Sequence, residues 1–139
     1  MYSRGTLLCS LLLFSVFGHS AQADPLQYRV FDIALKSGES TELTDVFYVG
    51  GNCKSLLTAI PEVEILDGPP GVTAVVHASS VVPHAYNCAK PVRGGVLVIS
   101  ARDIREYSHT QMLLRVKLKT SVGDRQTTLT VNIALLPAE

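Results

Sequence analysis

The sequence lacks an excess of either charge: 12 Lys and Arg stand against 12 Asp and Glu in 139 residues. Nucleic-acid and anionic-membrane binders concentrate Lys and Arg, so neither class is expected. It also lacks a linker, a low-complexity tract and an internal repeat, and at this length one domain is the natural expectation. After residue 23 no apolar run is long enough to span a membrane, and no amphipathic helix of useful length is visible. Tryptophan is absent, and so are a GxSxG elbow, a CxxC pair and an Asn-x-Ser/Thr sequon.

The one long apolar run lies at the start. Residues 1–23 carry a single charge, Arg4, then apolar residues from Leu7 to Phe17, and end in Ala21-Gln22-Ala23. That order of basic, apolar and small-residue regions predicts a cleaved secretory signal peptide over 1–23 and a mature domain over 24–139. Removing it leaves 116 residues with 11 basic and 12 acidic side chains, a net charge of −1. The product is expected to be periplasmic or secreted, without stable membrane insertion. Of the three cysteines, Cys9 leaves with the signal, and Cys53 and Cys88 remain to form one disulfide in an oxidising compartment.

What is plentiful is β-branched. Val, Ile and Thr contribute 15, 6 and 9 of the mature residues, and apolar side chains recur at period two. Strands are predicted at Tyr28–Lys36, Glu42–Val49, around Val63 and Ile65, at Val72–Val76 and at Val96–Ala101, the last covered on both faces. One helical turn is expected over Lys54–Ala59, and Gly68-Pro69-Pro70-Gly71 predicts a reversal. Val81–Arg93 reads as irregular, closed by Gly94-Gly95. The clearest pattern is a final hairpin around Ser121-Val122-Gly123-Asp124. There Met112, Leu114, Val116 and Leu118, with Thr127, Leu129, Val131, Ile133 and Leu135, face inward.

About seven strands with regular turn signals predict an all-β antiparallel sandwich with one disulfide. The arrangement resembles immunoglobulin-like sandwiches, and Tyr86-Asn87-Cys88 looks like the Tyr-x-Cys of a tyrosine corner. Two features depart from the antibody pattern: no Trp packs on the bridge, and three strands follow Cys88. The disulfide is therefore expected to pin two loops at one end rather than staple two sheets. The resemblance implies architecture only and carries no function with it.

No catalytic constellation is found. Glu62 and Glu64 alternate on the wet face of a strand, Asp103 and Glu106 are loosely spaced, and no cofactor is expected. His77, His84 and His109 are scattered, so no metal site is predicted, although a metal carrier or small inhibitor is the alternative reading. Two segments are candidate recognition loops. One is the polar run holding Arg102, Asp103, Arg105, Glu106 and Tyr107, since Arg and Tyr are favoured interface anchors. The other is the disulfide-tied segment with His84 and Tyr86, since an ordered loop loses less entropy on binding. The expected role is a non-catalytic binding or envelope-accessory module whose partner is another protein of the cell envelope or exterior.

Overall fold

A computed structural model describes residues 29–139; the signal-peptide expectation lies outside the described residues. Seven strands form in order: β1 (Val30–Lys36), β2 (Ser40–Val46), β3 (Glu62–Asp67), β4 (Val72–Val81), β5 (Val92–Ala101), β6 (Ser108–Thr120) and β7 (Gly123–Leu136). They build two sheets, β1-β7-β6-β3 and β2-β5-β4, and the Cys53–Cys88 disulfide ties the β2–β3 connection to the β4–β5 connection. All pairs are antiparallel except β1 with β7, which runs parallel from Val30↔Thr130 to Lys36↔Leu136. Parallel strands cannot be joined by a tight turn, and here the whole domain separates them.

Period-two alternation places the core. On β6 and β7 the inward set Met112, Leu114, Val116, Leu118, Leu129, Val131, Ile133 and Leu135 is buried, and Leu97 and Ile99 of β5 meet it from the other sheet. Each such side chain contributes about 1.5–3 kcal/mol by leaving water. Outward residues make polar ladders instead. Gln111 donates to Asn132 at 3.2 Å, and Asn132 donates to Asp32 at 2.9 Å, crossing β6, β7 and β1.

The hairpin turns at Ser121-Val122, because β6 and β7 pair as far as Thr120↔Gly123. Thr120, buried, closes it: its hydroxyl donates to the Gly123 carbonyl and accepts from the Val122 N–H. Gly123 lies at φ +108°, a conformation glycine adopts without a Cβ penalty.

Several local expectations give way to tertiary contacts. Lys54–Ala59 is not a helical turn: Ser55 bridges to Val49 and Leu57 to Thr120, while Leu57 is buried in the core. Extended backbone lets Leu57 reach the core and bond β6 at once. β2 starts at Ser40 and stops at Val46, so the segment from Phe47 runs as loop. β4 continues to Val81 and β5 begins at Val92, placing Gly94-Gly95 inside a ladder opposite Ser79 and Ala78. β5 is not covered on both faces; Leu97, Ile99 and Ala101 are fully buried whereas Val96, Val98 and Ser100 are half-buried. Tyr86-Asn87-Cys88 makes no tyrosine corner. It lies in the β4–β5 connection, in and just after a 3₁₀ turn at His84–Tyr86, and the Tyr86 ring packs edge-on against Phe47.

Candidate functional site

The two candidate loops sit at opposite ends of β5. Arg102–Tyr107 follows its last residue, and the His84–Cys88 segment precedes its first. Ten strand residues separate the ends by roughly 30 Å, so the two segments cannot form one surface.

The Arg102 end is held by backbone. The Arg102 N–H donates to the Gly71 carbonyl at 2.8 Å, and the Ile104 N–H to the Ser37 hydroxyl at 3.1 Å. Arg102, Asp103, Arg105, Glu106 and Tyr107 are all exposed, Tyr107 at 66%. None of the ion pairs found among the described residues involves this loop.

The disulfide end is more heavily cross-tied. After β2 the chain folds back on itself: the Gly50 N–H donates to the Lys54 carbonyl, and the Leu56 N–H to the Tyr48 carbonyl. Cys53 adopts φ +59° in this loop and bonds to Cys88, which is 3% exposed in the β4–β5 connection. Beside the disulfide, the Ser55 hydroxyl donates to the Arg93 carbonyl at 2.8 Å. The same segment then reaches the β6–β7 turn, where the Thr58 N–H donates to Lys119 and the Ser121 N–H to Leu56, both at 2.9 Å. Three connections from two sheets are thereby locked into one end. Tyr86 (50% exposed), Ile60 (53%) and Val122 (54%) project from it.

A groove of about 350 Å³ opens on the outer side of the four-stranded sheet at this end. Ile60 and Glu62 line one side, Lys117 and Lys119 the floor, and Asp124 and Arg125 the other. The register explains the gathering, since Glu62 pairs with Lys117, and Lys119 with Asp124. The Arg125 guanidinium donates to the Asp124 carbonyl at 3.0 Å and the Val122 carbonyl at 3.4 Å, steadying its charge at the rim. The alternation that turns Val116 and Leu118 inward leaves Lys117 and Lys119 outward, but the groove itself has no local sequence signature.

Charge divides along the long axis. The disulfide half holds Lys54, Lys90, Arg93, Arg115, Lys117, Lys119 and Arg125 against Asp45, Glu62, Glu64 and Asp124. The other half holds Arg29, Lys36, Arg102 and Arg105 against Asp32, Glu39, Glu42, Asp67, Asp103, Glu106 and Glu139. A chain neutral in composition is basic at one end and acidic at the other.

Between the ends, Lys117 donates to Glu64 at 3.0 Å with Arg115 at 3.9 Å. The Lys117 hydrogen bond and charge hold the Glu64 carboxyl below its ordinary value of 4.5, and Arg115 adds to this. A carboxyl so lowered stabilises the fold above that ordinary value, and the contribution disappears as pH falls through the lowered one. Both partners are wet, so the effect is small and salt-sensitive. Unfolding by urea between pH 3 and 7 checks this: Glu64→Gln is expected to lose slightly more stability at pH 7 than at pH 3, with the difference shrinking in 1 M salt. An equal loss at both pH values removes the ion pair from the argument.

The histidines do not converge. His77 is exposed on β4, His84 sits in the 3₁₀ turn, and His109 is the second residue of β6 in the other sheet. Among the described residues no three His, Cys, Asp or Glu side chains come together to hold a metal ion. No helix among them is long and apolar enough to cross a membrane.

No protein-family model matches the chain, and no curated protein matches it either.

Proposed function

We propose that the protein is an exported, non-catalytic binding module on an immunoglobulin-like sandwich, and that its recognition surface is the disulfide-tied end. The single observation that carries the reading is the combination found there. A groove lined by Lys117, Lys119 and Arg125 with Glu62 and Asp124 shares one end with the exposed Tyr86, Ile60 and Val122, and the disulfide and the backbone bridges cross-tie that end. A surface ordered before binding loses little entropy when a partner docks, and Tyr is among the residues that dominate interface energies.

The strand order supports the immunoglobulin-like part. β2, β5 and β4 occupy the places of strands B, E and D, and β3, β6 and β7 those of C, F and G, with β1 beside the last strand. In that frame the connections β2–β3 and β6–β7 correspond to two of the loops that antibody variable domains use for recognition. The correspondence is one of position, since fold alone carries no function. The basic character of the end favours an acidic patch on another exported or envelope protein.

The mature chain, used as bait on the envelope and exterior proteins of its source cell, tests the site. A Tyr86→Ala/Lys119→Ala/Arg125→Ala variant is expected to lose the wild-type partner by tenfold or more in affinity. Arg102→Ala/Arg105→Ala/Tyr107→Ala is expected to keep it, and added salt to weaken it. The reverse pattern would move the site to the opposite end, and insensitivity to both variants would overturn the reading.

A further inference from the structure

Each sheet has two edge strands, and three of the four are defended. Edge strands present unpaired N–H and C=O groups, which charges, bulges and shortness keep from pairing with another chain. β1 carries Asp32 and Lys36. β2 carries Glu42 and Asp45 with a bulge between Glu42 and Thr44, and β3 carries Glu62, Glu64 and Asp67 with a bulge between Ile65 and Asp67. β4 has none of these devices. It runs ten residues, Val72–Val81, in unbroken register with β5, and contains no Asp, Glu, Lys, Arg or Pro. Among the described residues only β5 pairs with it, and His77, Ala78, Ser79 and Ser80 are exposed in succession. Arg29, the first described residue, adjoins Thr130 beside β1, in the other sheet.

We propose that β4 is a self-association edge: two copies of this chain join antiparallel β4 to β4. The resulting two-fold dimer carries a continuous six-stranded sheet, β2-β5-β4-β4-β5-β2. Charge selects the second copy as occupant. β2 or β3 paired with itself sets acid against acid, which is destabilising across strands. β4 paired with itself meets no charge. A charged foreign strand finds no opposite charge on β4 to answer it.

Geometry adds the register. In an antiparallel pair, facing residues share a side of the sheet, so the two-fold axis passes through a residue rather than between two. Centring on Val76 or His77 pairs roughly nine residues of each copy, at the strand spacing of about 4.8 Å. Val75, 43% exposed, stands outward beside half-buried Val98 of β5, and it faces His77 of the second copy in the first register or Ser79 in the second, so no charged side chain meets it.

Sedimentation equilibrium of the oxidised mature chain over a rising concentration series tests the proposal, with hydrogen exchange followed by residue. A reversible dimer is expected, with slower exchange over residues 73–80 as it forms. Val75→Lys/Ser79→Lys places charges on exposed outward positions and is expected to raise the dimer dissociation constant at least tenfold. Its unchanged circular dichroism and intact disulfide serve as the folding check. If that variant misfolds, Ser79→Lys alone, at an exposed position, is read in its place. A chain monomeric up to about 1 mM overturns the proposal. So does a dimer that leaves β4 exchange unchanged, or one that survives both substitutions.

Discussion

Removing the disulfide as Cys53→Ser/Cys88→Ala is expected to lower the unfolding free energy by about 3.8 kcal/mol, from the chain-entropy relation for a 35-residue separation. The bridge closes a loop containing β3 and β4, so the reduced unfolded chain regains the freedom of that whole stretch. Native-state ties offset little of this. The Ser55–Arg93 hydrogen bond and the bridges at Val49–Ser55 and Leu57–Thr120 persist without the sulfurs, and they act only once the chain has folded. Urea unfolding of wild type and variant measures the difference. The sheets are expected to form in both, with hydrogen exchange in the variant rising first in the loops flanking residues 53 and 88. A loss under about 1 kcal/mol would show that the hydrogen-bonded strap restrains the unfolded ensemble as well. In that case the disulfide end would keep its order under reducing conditions.

Gly95→Val is expected to destabilise by about 3 kcal/mol, at or above the upper range for overpacking. Gly95 lies in β5, the middle strand of its sheet, with β2 paired on one side and β4 on the other. A Cβ there would stand 2.5 Å from Val76 Cγ1 and 2.9 Å from the His77 carbonyl oxygen. Relief would have to come from β4, whose register with β5 is continuous over ten residues, so the strain spreads along a ladder. Gly51→Ala is the control: a Cβ at that position meets nothing within 4 Å, and a change within about 0.5 kcal/mol is expected. Thermal and urea unfolding compare the two. If Gly95→Val matched Gly51→Ala, the contact between β4 and β5 would have to be looser than the geometry describes.

The final hairpin was readable residue by residue. Met112 to Leu118 and Leu129 to Leu135 alternate with outward neighbours, and the side chains predicted to face inward are buried except Thr127, which is half-buried. The wet face of β3, with Glu62 and Glu64 outward, was equally legible, and so was a disulfide confined to loops. Misreadings fell where a distant partner overrides local preference. Lys54–Ala59 has helix-forming residues, yet Leu57 is drawn to the core and bonded to Thr120. Gly94-Gly95 looks like a break, yet those glycines admit the close approach of Val46, Val76 and Val81 to β5. The groove was hidden because Ile60, Lys117 and Arg125 come from three separate stretches of chain.

The near-neutral charge balance shows the division most plainly. Composition alone determined that neither charge is in excess, and alternation alone determined strands, their buried faces and the closing hairpin. Both are local properties, legible from residues one or two positions apart. Tertiary structure decided which strands share a sheet, that β1 lies parallel to β7, and that β4 is left as an undefended edge. It also gathered the basic residues at the disulfide end and the acidic ones at the other. Strand pairing and charge gathering depend on residues tens of positions apart, whose proximity exists only once the chain has folded.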